Sequence, residues 1–111
     1  GITTDARCGP LLMFGRGGRY VEVFRDVRFG VTPRTPFEAG EMIRGIRGFK
    51  LLEGVRGEAG ADLTILEEVL LRLAQLAQRH PRIQELDINP FLAGADKDTC
   101  KALDVRIRVG F

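Results

Sequence analysis

An α+β fold, in which an antiparallel sheet carries two helices on one face, is what the sequence predicts. Three observations predict it. The segments read in the order β, β, α, α, β, β along 111 residues. The stretch from Leu63 to His80 repeats its apolar residues at helical spacing, and the segments 83–89 and 101–109 alternate apolar and polar residues with the period of a strand. A chain of this length holds one domain.

The first sheet signal is "PLLMFGRGGRYVEVFRDV". Leu11 to Phe14 form one strand and Tyr20 to Phe24 another, in which Tyr20, Glu22 and Phe24 alternate with Val21 and Val23. Gly15, Gly17 and Gly18 lie between them, where glycine serves a tight turn and leaves room for an approaching group. "VRFGV" extends this sheet. In "RTPFEAGEMIRGI" Thr35 occupies an N-cap position, Pro36 the first helical position and Glu38 the third residue after the cap, a capping-box pattern. Gly45 and Gly48 end this short helix, and a glycine-punctuated connection follows with Leu51 and Leu52 directed at the core.

The longest element starts at Asp62, a capping residue. Leu66, Val69, Leu70, Leu73, Leu76 and Ala77 share one face, and Glu68 and Arg72 stand one turn apart on the other. His80, before Pro81, belongs at the helix C-terminus. "IQELDIN" is a strand ending at Asn89, "PFLAGADKDTC" a polar hairpin loop, and "KALDVRIRV" the returning strand. Paired antiparallel, the two strands expose one apolar face and one face bearing Glu85, Asp87, Asn89, Asp104, Arg106 and Arg108.

Composition narrows the function classes. Apolar residues make up 44% and charged residues 29%, the balance of a globular protein rather than a disordered tail. The net charge is +2, with arginines dispersed among acids, so no nucleic-acid partner is expected. No apolar run approaches the roughly 20 residues that span a bilayer, and the N-terminus has no leader pattern, so a cytoplasmic setting without a membrane partner is expected. Cys8 and Cys100 belong to no metal-binding cluster and are read as unpaired thiols. The opening "GITTD" gives way at once to an apolar strand, which reads as a fragment of a longer chain.

The polar strand face is where reactive side chains converge. An amide and carboxylates on neighbouring strands offer hard oxygen ligands suited to Mg²⁺, which takes few protein carboxylates when a nucleotide brings the rest of its shell. Nearby arginines favour phosphate. The same pattern is equally that of a solvated face with cross-strand ion pairs, and Asn-Pro is a common end to a strand. The residues alone leave both readings open.

"CGPLLMFGRGGRYVEVFRDV", "IRGFKLLEGVRG" and "ELDINPF" followed by "ALDVRI" together resemble the C-terminal part of the ATP-grasp domain of NDP-forming acyl-CoA synthetases, the group that includes ADP-forming acetyl-CoA synthetase and succinyl-CoA synthetase β-subunits. The resemblance covers nearly the whole chain. It implies a C-terminal ATP-grasp lobe that binds Mg²⁺ and ATP or ADP, inactive alone, in an enzyme that passes a phosphoryl group through a histidine. By the same resemblance Asn89 and Asp104 hold Mg²⁺, Asp87 faces the phosphorylated histidine, and Gly17, Gly18, Val21 and Glu22 lie along the active-site side. CoA, a carboxylic acid and a CoA-binding domain or subunit carrying the shuttle histidine are the implied partners. The resemblance leaves out the nucleotide-clamping lysine and the adenine pocket, and it does not assign the shuttle to His80. Cys8 stands where the family commonly has Phe, and Arg16 and Arg19 stand where it has apolar residues. The alternative expectation is an ATP-grasp-like regulatory or assembly domain of a protein acetyltransferase. Apolar surface left uncovered by a missing lobe could also drive self-association.

Overall fold

The computed structural model describes residues 1–15, 27–31, 35–54 and 60–110. Strands β1 (Ile2–Asp5), β2 (Gly9–Gly15) and β3 (Val27–Val31) precede helices α1 (Pro36–Arg44), α2 (Phe49–Leu52) and α3 (Leu63–Arg79). Then come β4 (Ile83–Ile88), β5 (Phe91–Leu92), a 3₁₀ turn (Lys97–Thr99), β6 (Lys101–Ala102) and β7 (Val105–Val109). Five strands form one antiparallel sheet in the order β3-β2-β1-β4-β7, and β5 and β6 form a small ribbon. The α+β class stands, with α1 and α3 packed on each other and against the same sheet.

The centre of that sheet is a strand that the sequence reading omits. β1 contains a single large apolar residue, Ile2, and so carries no alternation to detect. It pairs with β2 through a tight hairpin and with distant β4: Ile2 faces Leu12 on one side and Leu86 on the other. All three side chains are buried, and Ile43 joins them from α1. The turn from β1 to β2 is built from Asp5, whose Oδ1 accepts the N–H groups of Arg7 at 2.8 Å and Cys8 at 2.9 Å. These bonds hold the Asp5 carboxyl below its ordinary range, Cys8 contributing most. Gly9 completes the turn at φ +76°, a left-handed conformation that costs an L side chain strain. At Gly30, directly opposite Leu12, the missing side chain lets Met42 of α1 lie against the strand.

Local signals set the helices. Thr35 Oγ1 accepts the Glu38 N–H at 3.2 Å and donates to Glu38 Oε1 at 3.2 Å, with Pro36 as the first helical residue. Gly45 ends α1, donating to the carbonyls of Glu41 and Met42, while its own carbonyl accepts from Arg28 Nε at 3.0 Å. Asp62 Oδ1 caps α3 through the N–H groups of Thr64 and Ile65. Leu66, Leu70, Leu73, Ala74 and Ala77 of α3 are buried, Val69 and Leu76 flank them, and His80 caps the C-terminus through its N–H to Leu76 O. Glu68 and Arg72 form the expected exposed pair at 2.9 Å.

One expectation for the C-terminal hairpin needs correction. The returning strand is broken at Leu103 and Asp104, so β6 pairs with β5 and β7 with β4. The polar loop therefore holds a ribbon of its own, closed by an Asp96-capped turn. The apolar face expected of the pair is present and is covered only in part. Leu86 is 3% exposed, but Val105, Ile107 and Val109 are 46 to 54% exposed, because β7 is the edge strand beyond the reach of both helices. Cys8 is exposed and Cys100 half-buried, and neither is bridged. Among the described residues no helix is long and apolar enough to cross a membrane.

Candidate nucleotide and metal site

The bend between the two ribbons brings the sequence-predicted metal residues together. The antiparallel register pairs Glu85 with Arg108 and Asp87 with Arg106, so these four side chains share one face. One step further along, the Asn89 N–H donates to the Asp104 carbonyl at 3.0 Å, and the Leu103 N–H donates to the Pro90 carbonyl at 3.1 Å. Asn89 and Asp104 therefore stand side by side across the hairpin, where its path bends between β4–β7 and β5–β6 and where the Asn89–Pro90 peptide is cis. Asp87 and Asp104 are exposed and Asn89 is half-buried.

Beside them opens a cavity of about 430 Å³ bounded by α3 and the ends of β2 and β4. Asp87, Asn89 and Pro90 form its polar side, and Phe14, Leu66, Leu70 and Phe91 are among its apolar walls. This cavity had no counterpart in the sequence reading, because its walls come from segments distant along the chain. Gly17, Gly18 and Glu22, expected on the same side, lie outside the described residues, as do the strand expected at Tyr20 to Phe24 and the two arginines Arg16 and Arg19.

The arginines of the face are differently engaged. Arg108 meets both oxygens of Glu85, Nη2 to Oε1 at 3.1 Å and Nε to Oε2 at 3.3 Å, and donates through Nη1 to Gln84 Oε1 at 2.6 Å. Gln84 enters because the ladder shifts register between Ile83 and Glu85, a bulge with no signature in the sequence. Arg106 Nε lies 3.8 Å from Asp104 Oδ2. The hydrogen bond from Arg108, and then its charge, hold the Glu85 carboxyl below the ordinary glutamate range, and the same contacts raise the guanidinium of Arg108.

A depressed folded pKa means that this pair stabilises the fold at pH above the ordinary glutamate value of 4.5 and loses that contribution as pH falls through the folded value. The NMR titration midpoint of Glu85 is expected below 4.5 and, in Arg108→Ala, shifted back towards it. Equal midpoints in the two proteins would contradict the pairing.

A protein-family model described as an ATP-grasp domain matches residues 1–109. The chain belongs to the ATP-grasp family. Among the relatives of this ATP-grasp chain, the 4-hydroxybutyrate–CoA ligase (ADP-forming) of Nitrosopumilus maritimus is 48% identical over 99 residues, which is 89% of the chain and 14% of that protein. The acetate–CoA ligase (ADP-forming) I of Archaeoglobus fulgidus is 44% identical over 90 residues, 81% of the chain and 13% of that protein. The β-subunit of acetate–CoA ligase (ADP-forming) I of Pyrococcus furiosus is 40% identical over 107 residues, 96% of the chain and 45% of the subunit.

The same fold occurs in the dinucleotide-forming acetyl-coenzyme A synthetase 1 of Ca. Korarchaeum cryptofilum, with a TM-score of 0.92 at 36% identity over 98% of this chain and 50% of that one. That protein was solved with coenzyme A and Mg-AMPPCP, its phosphohistidine segment pointing towards the nucleotide binding site. The ATP-grasp chain thus spans less than half of each of these relatives and half of the solved chain. The family and fold expected from the sequence are those found.

Proposed function

We propose that this ATP-grasp chain is the metal-bearing, nucleotide-facing part of an ADP-forming acyl-CoA synthetase and is inactive alone. The observation that carries the reading is the hairpin register, with Asn89 and Asp104 joined across it by the 3.0 Å backbone bond beside a cavity that Asp87 also lines. The donor set fits Mg²⁺: one amide oxygen and one carboxylate are hard ligands, and few are needed when phosphates and water complete the shell. When bound, the cation neutralises phosphate charge and aligns the phosphates for in-line transfer.

Asn89 and Asp104 would hold that cation from the two sides of the hairpin, just past the β4–β7 ladder, where the backbone bond between them keeps their main chains adjacent. Asp87, two residues before Asn89 on the same face, accepts a ring N–H from the histidine that receives the phosphoryl group and so orients the imidazole. Gly17, Gly18 and Glu22 are assigned to nucleotide binding on the family resemblance of the segment that carries them. CoA, the carboxylic acid and the histidine-bearing domain or subunit come from outside these residues. The named relatives, all CoA ligases that form ADP, support this reading.

The test is a Mg²⁺ titration of ADP binding in the complete protein. Asn89→Ala and Asp104→Ala are each expected to raise the Mg²⁺ concentration for half-maximal binding about tenfold or more. Wild-type Mg²⁺ dependence in both variants would refute the assignment.

A further inference from the structure

The two arginines on the polar face of β4 and β7 are not equivalent. Arg108 is clamped by Glu85 and Gln84, with three contacts between 2.6 and 3.3 Å. Arg106 has an ion pair with Asp104 at 3.8 Å, beyond hydrogen-bond distance, and the two side chains are 82% and 55% exposed. A pair this open gains little from its charges and is readily exchanged. Arg106 also stands opposite Asp87 in the register and one pair along from Asn89 and Asp104. A loosely tied guanidinium thus lies among all three side chains assigned to metal and phosphoryl chemistry.

We propose that Arg106 is the resting counter-ion of Asp104 and becomes a ligand of the nucleotide's terminal phosphate once a divalent cation occupies that carboxylate. The inference rests on the metal reading of Asn89 and Asp104 given above. Occupation of the Asp104 carboxylate by a cation removes the attraction that holds Arg106 and replaces it with repulsion between like charges. The guanidinium then needs another acceptor. Mg·ADP remains anionic, and its phosphate oxygens match the planar donor fork of arginine. Asp87 and Asp104 would otherwise repel a polyphosphate, and Arg106 offsets that charge without disturbing the clamped Arg108. Its exposed side chain can turn without repacking the sheet.

The decisive measurement is ADP affinity of the complete protein with saturating Mg²⁺ and with EDTA, for wild type, Arg106→Ala, Arg106→Lys and Asp104→Ala. Arg106→Ala is expected to weaken ADP binding about tenfold or more with Mg²⁺ and by clearly less in EDTA, where the Asp104 carboxylate competes with phosphate for the guanidinium. Arg106→Lys, which keeps the charge but not the fork, should recover part of the loss. Equal weakening with and without Mg²⁺, or no weakening in either state, would overturn the proposal. Asp104→Ala separates the two levels. Full retention of the Mg²⁺ dependence in that variant removes the metal reading and this inference with it. Loss of the Mg²⁺ dependence in Asp104→Ala, with wild-type affinities in Arg106→Ala, removes the Arg106 proposal alone.

Discussion

In the complete protein, Asp87→Asn is expected to slow turnover about 100-fold without weakening nucleotide binding. The substitution keeps the volume of the side chain and removes its charge. Asp87 is exposed on the polar face, opposite Arg106, and lines the cavity beside Asn89, so neither the core nor the proposed cation ligands are touched. What changes is the acceptor offered to an incoming imidazole. A carboxylate accepts a ring N–H and stabilises the imidazolium, whereas a neutral amide does so less well and can present its NH₂ group instead. The loss should therefore appear in kcat, read by steady-state kinetics, with ADP affinity read separately by calorimetry. A wild-type kcat would remove Asp87 from the chemistry, and a matched fall in ADP affinity would make it a nucleotide-binding residue instead.

Leu12→Ala is expected to cost about 3 kcal/mol of stability, read as a lower denaturation midpoint in urea. Leu12 is 0% exposed and sits in the middle of the sheet, opposite Ile2 on one neighbouring strand and Gly30 on the other. Because Gly30 has no side chain and Met42 already lies against it, little nearby can move into the space that alanine would leave. The control is Leu92→Ala, where the side chain is 50% exposed in the small ribbon and the loss should be within about 0.5 kcal/mol. Equal effects of the two substitutions would contradict the assignment of the core to Ile2, Leu12, Ile43 and Leu86.

Features that depend on neighbours along the chain are legible without the fold. Thr35 and Asp62 are legible as caps because each side chain bonds N–H groups two or three residues ahead. The buried face of α3 follows from helical spacing, and the shared face of Glu85, Asp87 and Asn89 follows from strand alternation. The motifs that carry the family resemblance are likewise short and local, and the family model matches from residue 1 to 109. The fold of the whole chain settles what depends on strands meeting from far apart. It made Ile2–Asp5 the central strand, since that segment gains its hydrogen bonds from β2 and β4 rather than from any pattern of its own. It broke the last strand at Leu103 and Asp104, inserted Gln84 as a bulge, and left Val105, Ile107 and Val109 uncovered at the edge. It also assigned the charged partners: alternation allowed either arginine to meet any acid on that face, and the register gave Glu85 to Arg108, whereas Arg106, opposite Asp87, has its ion pair with Asp104 two residues before it. A strand's faces are fixed by its own period, whereas its neighbours are fixed by pairings whose loop entropy and packing involve the whole chain.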